Sequence, residues 1–352
     1  MYRRISLIGV LCLALIFIAA NALPTAAQDG PQSLVSGLNS PRALYVADDG
    51  TVYVVEAGMG GTTPTGMTGP SGLEALSGAT GRVSTLAEDG TLTPVLSDLP
   101  SVDLGGSETA GPTAVAVTES SLWVLFNGGP MSHPLYFSLV ELDAATHRIK
   151  TSIDLFSYEA ANNPDGKEVD CNPIDFAIAE DGTIYIVDAG GNDILTWTAE
   201  DGLQTLVVWE NNDVPTSIAL GPDGNLYISF LTPFPFPEGG ARIDVISPDG
   251  DLVKQYTGLT LAVNVAVTDD GAIYAVEFGR FDLSIADADT SPWVPNSGRV
   301  VMVSDDGVTP VAEGLNFPYA LAQNADGNWL VTNSSAYSEP GSGEVLLIEA
   351  GM

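Results

Sequence analysis

The sequence predicts an all-β protein, a six-bladed β-propeller of four-stranded blades. Three observations predict it. A phrase of alternating apolar residues, Asp-Gly and a second apolar run recurs six times, the chain is long enough to give each copy a four-stranded sheet, and the two ends of the repeat array are complementary. The six copies are Pro41 to Glu56, Pro112 to Phe126, Pro173 to Asp188, Pro215 to Phe230, Ala262 to Glu277 and Pro318 to Asn333. In five of them the first residue lies nine positions before the turn glycine, while the second copy is one residue shorter and turns at Ser120-Ser121.

Each copy reads as a hairpin, because Asp-Gly supplies the positive φ of a tight turn between two alternating runs. A third strand follows in every unit: Arg82 to Leu86, Ser138 to Leu142, Ile194 to Trp197, Arg242 to Ile246, Arg299 to Val303 and Glu344 to Ile348. Further Asp-Gly turns at 89–90, 201–202, 249–250 and 306–307 lead to a fourth strand. The chain ends after a third strand, and Ser33 to Val35 has the form of a fourth strand placed before the first hairpin. The N-terminal strand is therefore expected to complete the last blade and leave no open sheet edge. An open β-solenoid is the rival, but its repeats run shorter and turn less sharply.

Residues 1–27 read as a secretory signal peptide: Arg3 and Arg4, an apolar stretch from Ile5 to Ala20, then small residues that permit cleavage after Ala22 or, preferably, Ala27. At about 16 residues the apolar stretch is short for a spanning anchor, which needs roughly 20. The propeller then occupies 28–352. Export to the periplasm or the exterior follows, with no stable membrane insertion once the signal is removed, and a monomer is expected. Cys12 lies in the signal, so Cys171 is the only cysteine left and no internal disulfide can form.

The 352 residues carry 45 Asp and Glu against 11 Lys and Arg, a net charge of −34. Such a surface repels polyphosphate and anionic lipid, which argues against nucleic-acid partners. Only 16% of the residues are charged and mean hydropathy is +0.20, so the chain folds rather than remaining disordered.

The residues also carry a resemblance. Gly37 to Gly61 (GLNSPRALYVADDGTVYVVEAGMGG), Asn163 to Gly166 (NPDG), Val187 to Leu195 (VDAGGNDIL), Val214 to Gly240 (VPTSIALGPDGNLYISFLTPFPFPEGG) and Gly343 to Ile348 (GEVLLI) are similar to the ScyD/ScyE family. These NHL-like exported six-bladed propellers are linked to scytonemin pigment biosynthesis in cyanobacteria. The resemblance spans nearly all of 28–352 and implies the fold and export. The sequence departs from the family where the loop after Gly60 lacks a cysteine.

Strand direction places the Asp-Gly turns on one rim and the long connections on the other: Ala57 to Thr80, Asp98 to Gly111, Phe156 to Asn172, Leu231 to Gly240 and Phe278 to Gly298. Binding residues favour such loops on a rigid frame, so the ligand, a small molecule, glycan or protein, is expected on the long-loop rim at the channel mouth. The second strands end there in Glu56, Phe126, Asp188, Phe230, Glu277 and Asn333. Near the start of the innermost strands, Asp175 and Asn264 break a set of small residues, with Asn172 and Thr216 beside them. Oxygens of Glu56, Asp175, Asp188 and Glu277 suit a hard divalent cation such as Ca²⁺, the cofactor expected if one is held. Related propellers of the gluconolactonase type use a comparable site, so a metal-dependent lactonase or other hydrolase is the alternative to a binding module. The competing reading makes the same side chains caps of backbone amides. Phe234 and Phe236, stiffened by Pro233, Pro235 and Pro237, could grip a flat ligand or pack as a lid.

Other motifs lead nowhere. Asp287 to Ser291 begins like a calcium loop but meets Pro292 where glycine is required. His133 and His147 give no triad, and Cys171 reads as a buried structural thiol.

Overall fold

The computed structural model describes residues 30–106, 108–286 and 291–349. The expected signal peptide and most of the Asp287 to Ser291 loop lie outside the described residues. Six antiparallel blades, each built on four strands, surround a central channel, and the first is widened to six strands by Thr63–Thr68 and Thr109–Ala110. From the axis outward, blade 1 is Pro41–Val46, Val52–Glu56, Glu74–Leu86 and Leu92–Asp103; blade 2 is Pro112–Val117, Ser121–Phe126, Ser138–Asp143 and Ile149–Asp154. Blade 3 is Pro173–Ile178, Ile184–Asp188, Asp193–Thr198 and Gly202–Val208; blade 4 is Pro215–Leu220, Leu226–Phe230, Ala241–Ile246 and Leu252–Leu259. Blade 5 is Ala262–Val267, Ile273–Glu277, Gly298–Ser304 and Gly307–Leu315. Blade 6 runs Leu321–Gln323, Trp329–Asn333 and Gly343–Ile348, and its outermost strand is Gln32–Leu38 from the N-terminus.

The expected closure is present, with Ser33 opposite Leu346 and Leu38 opposite Gly343. Burial peaks at the second strands and falls from there outward. Second strands are sandwiched between neighbouring blades on both faces, so they carry continuous apolar runs rather than alternation: Val54, Val55, Leu125, Ile186, Val187, Ile228 and Val276 are sealed from solvent. Outermost strands such as Leu252–Leu259 are largely exposed.

Most of the Asp-Gly turns are three-residue loops, whereas only Asp305 and Asp306 separate the paired Ser304 and Gly307. Ala47 N–H donates to Thr51 O at 2.9 Å and Gly50 N–H to Ala47 O at 2.8 Å, with Gly50 at φ 84°. This is a turn followed by a left-handed glycine bulge. The aspartate has its own task, since Asp49 Oδ1 accepts the Thr51 N–H at 2.9 Å, and Asp89 and Asp181 do the same for Thr91 and Thr183.

Two expected loops are ordered instead. Much of Ala57 to Thr80 belongs to an extension of blade 1, where Thr63–Thr68 pairs with the 13-residue third strand. Its glycines permit backbone-to-backbone packing: a Cβ on Gly61 would lie 2.5 Å from Gly78 Cα. Within Phe156 to Asn172, a short helix, Leu155–Asn162, starts at Asp154, whose side chain caps the Ser157 N–H at 2.9 Å. Among the described residues no helix is long and apolar enough to cross a membrane.

Removal of residues 30–38 should expose the edge at Gly343–Ile348, lower the melting temperature by many degrees and promote association, as read by calorimetry and light scattering. An unchanged monomer with an unchanged melt would show that the clasp does not hold the ring.

Candidate functional site

The channel mouth on the long-loop rim opens into a cavity of about 650 Å³. A narrower space of about 290 Å³ continues down the axis between the innermost strands. The two share Arg42, Ile174, Thr216, Val263 and Tyr319 at their neck. Together with Thr113 these are the second residues of the six repeats. In blades 1 to 5 the pairing slips at this position, for instance between Pro41 and Ala43 and between Pro173 and Asp175. Such a bulge re-aims a side chain, here toward the mouth.

The neck is partly tied by structural bonds. Thr216 Oγ1 donates to Ala262 O at 2.8 Å and Thr113 Oγ1 to Ile174 O at 3.2 Å, each reaching the next blade. Arg42 Nη2 donates to Thr109 O at 3.0 Å, and its guanidinium carbon lies 4.8 Å from the centre of the Tyr319 ring. Arg42 is only 6% exposed, and its Nε has no hydrogen-bond partner among the described residues.

One wall is aromatic. Trp293 lies 4.9 Å from Tyr337 and 5.5 Å from Phe278 between ring centres, and Phe278 stacks on Phe317 at 5.2 Å. Phe236 joins this cluster, 6.0 Å from Trp293. Phe234 packs edge-on against Phe236 and Phe281 but is 66% exposed. The Pro-stiffened loop therefore splits its roles, with Phe236 lining the cavity and Phe234 outside it.

The four carboxylates expected to share a cation are not brought together as one cage. Glu56 accepts the Asn39 N–H at 2.9 Å and pairs with Arg82. Glu277 accepts the Thr260 N–H at 2.7 Å and pairs with Arg299. Asp188 Oδ1 gathers three backbone N–H groups, from Asn172 at 2.7 Å, Gly190 at 3.0 Å and Gly191 at 3.1 Å. Asn333 Oδ1 does the same for Asn316 at 2.8 Å. Each side chain caps the segment entering its own blade, so the capping alternative describes them. Asn172 reaches the cavity lining; Glu56, Asp188, Glu277 and Asn333 do not. Among the described residues, no three His, Cys, Asp or Glu side chains are arranged to hold a metal ion.

Asp175 and Asn264 belong to a polar belt in the channel. Asp175 Oδ2 accepts Ser217 Oγ–H at 2.6 Å and Ile218 N–H at 3.1 Å; Asn264 donates to Ser217 Oγ at 3.0 Å and accepts Leu321 N–H at 3.1 Å. The belt stitches blades 3 to 6, while alanine holds the matching place in the other blades. Burial raises the Asp175 carboxyl to about 6 despite these donors.

A second group of acids lies in blade 3 beside the short helix. Burial, with the charges of Asp188 and Asp165, lifts Glu159 to about 7; burial, with Asp188 and Glu159, lifts Asp193 to about 9. Burial also pushes the Cys171 thiol up, which leaves it a structural donor to Asp188 rather than a nucleophile.

Comparison with known proteins bears on the fold. No family model matches the chain, and no curated protein matches it. Solved structures do: a gluconolactonase from Xanthomonas campestris (13% identity, 90% of this chain and 89% of that one, TM-score 0.56), a putative glucose dehydrogenase from Thermus thermophilus (14%, 90% and 98%, 0.55) and virginiamycin B lyase from Staphylococcus aureus (13%, 91% and 98%, 0.51). They are six-bladed β-propellers, and at this identity the likeness concerns the architecture.

Two outcomes follow. Glu277→Ala should cost about 2 kcal/mol of stability, equally in calcium and in chelator, because it frees a buried N–H and Arg299; a loss seen only in calcium would make Glu277 a cation ligand. The pH dependence has a definite sign. Unfolded carboxyls titrate near about 4, so the raised groups give stability that is complete below that pH and lost as pH climbs through about 7 for Glu159 and about 9 for Asp193. The melting temperature should fall from pH 5 to pH 9, and Asp193→Asn should flatten the upper part of that decline; an unchanged slope would remove Asp193 as its source.

Proposed function

We propose that the protein is an exported small-molecule-binding propeller that holds a flat, largely apolar ligand in the cavity at its long-loop mouth. The observation that carries this reading is the cavity of about 650 Å³, walled by Phe236, Phe278, Trp293 and Tyr337 and floored by the Arg42 and Tyr319 neck. A volume of this order, apolar with a few convergent polar groups, suits a small ligand better than a flat protein interface. Rings already packed on one another lose little freedom on binding. Export rests on the N-terminal signal pattern and on the resemblance to the exported ScyD/ScyE propellers.

The alternative, a metal-dependent lactonase, takes its support from the gluconolactonase among the similar structures. Its ligands would come from Glu56, Asp175, Asp188 and Glu277, whose oxygens accept protein N–H and O–H groups as described. The residues therefore fit capping better than a shared Ca²⁺ site.

Nile red, a planar neutral dye that brightens in apolar surroundings, tests the binding reading. It should bind the wild type, and Trp293→Ala or Tyr337→Ala should weaken it about tenfold. Equal binding by wild type and both variants would put the dye elsewhere and sink the cavity reading. Lactone hydrolysis that disappears on chelation would favour the hydrolase.

A further inference from the structure

We infer that the cavity selects an anionic ligand, an aromatic or polycyclic body bearing a carboxylate, and that Arg42 is the residue that recognises the charge; this rests on the binding reading above. Arg42 is the only basic side chain among the described residues lining the cavity. Its partners leave it incomplete. Thr109 O takes one N–H from Nη2, Tyr319 covers one face, and the buried Nε has no acceptor. Among the described residues it forms no ion pair, unlike Arg82, Arg242 and Arg299, each held by acids at its own blade edge.

A buried guanidinium without a counter-charge is costly, and the protein around it offers little compensation. Protein carboxylates do line the same cavity, at Glu108 and Asp170, yet neither comes within ion-pair distance of Arg42. An incoming carboxylate could accept from Nε in a charge-assisted hydrogen bond that the protein leaves unmade. The position sets the ligand's orientation. Arg42 is at the neck and the aromatic wall lies outward of it, so the charged end would enter first and the flat body would stay against Trp293 and Tyr337. An overall charge of −34 makes this selectivity local: long-range steering disfavours anions, and only the contact at Arg42 favours them.

A matched pair of probes tests the inference, 2-naphthoate and the neutral 2-naphthalenemethanol, each used to displace bound Nile red. In the wild type, 2-naphthoate should compete about tenfold more tightly than the alcohol. Arg42→Gln should bring the two within about twofold of each other, with the alcohol little changed, and Arg42→Lys should retain part of the preference because it keeps the charge and loses the Nε donor. The wild-type comparison stands even if the Arg42 variants fold poorly. Equal competition by the two probes in the wild type, or a naphthoate preference that survives in folded Arg42→Gln, would overturn the role of Arg42 while leaving the cavity reading intact. Failure of Nile red to bind the wild type would overturn both.

Discussion

The pairing of Gln32–Leu38 with Gly343–Ile348 is the contact on which the rest depends. Six wedge-shaped blades bury both faces of their second strands only if every blade has two neighbours, and blades 1 and 6 become neighbours only when the ring closes. The clasp also makes the neck. Arg42 belongs to blade 1 and Tyr319 to blade 6, so the guanidinium lies over that ring because residues far apart in the chain meet at the seam. Antiparallel ladder bonds at the clasp thus support the Arg42–Tyr319 contact near the axis.

Much of the acidic character has structural employment. The turn aspartates cap their own hairpins, and hydrogen bonds hold Asp49, Asp89 and Asp181 below the usual carboxylate range. Glu56, Asp188 and Glu277 cap the entries to three blades, and Asp175 ties blade 3 to blade 4. These acids lie at strand ends because backbone donors go unpaired there, and a carboxylate satisfies them more strongly than a neutral acceptor. Where the second strand ends in phenylalanine, other groups serve: Asn127 accepts the Gly111 N–H at 2.9 Å in blade 2, and in blade 4 Arg242 stacks 4.0 Å over Phe230 while binding Asp213.

The mouth was legible only in part. Its rim and its loop aromatic Phe236 follow from strand direction and from the Phe-Pro-Phe-Pro segment. Arg42 is invisible to strict alternation, because the bulge after the first repeat residue turns the second position toward the mouth in blades 1 to 5, and Tyr319 holds that second position in blade 6. Aligning that position across the copies yields Arg, Thr, Ile, Thr, Val and Tyr, in which a lone cation stands out. Trp293 carried no such signal. It reaches the cavity from a two-residue pairing of Trp293–Val294 with Arg280–Phe281 inside a long connection that has no repeat to compare.

Periodicity is local, so the chain itself determined the blade count, the strand order within each blade and the closing N-terminal strand: alternation, turn glycines and complementary ends are written in consecutive residues. Tertiary structure decided what the polar groups do. Whether Glu277 is a cap or a cation ligand depends on whether the Thr260 N–H and Arg299 stand within reach, and whether Arg42 has a partner depends on groups from other loops and another blade. Hydrogen bonds act over about 3 Å, and no spacing along the chain specifies distances that small between blades.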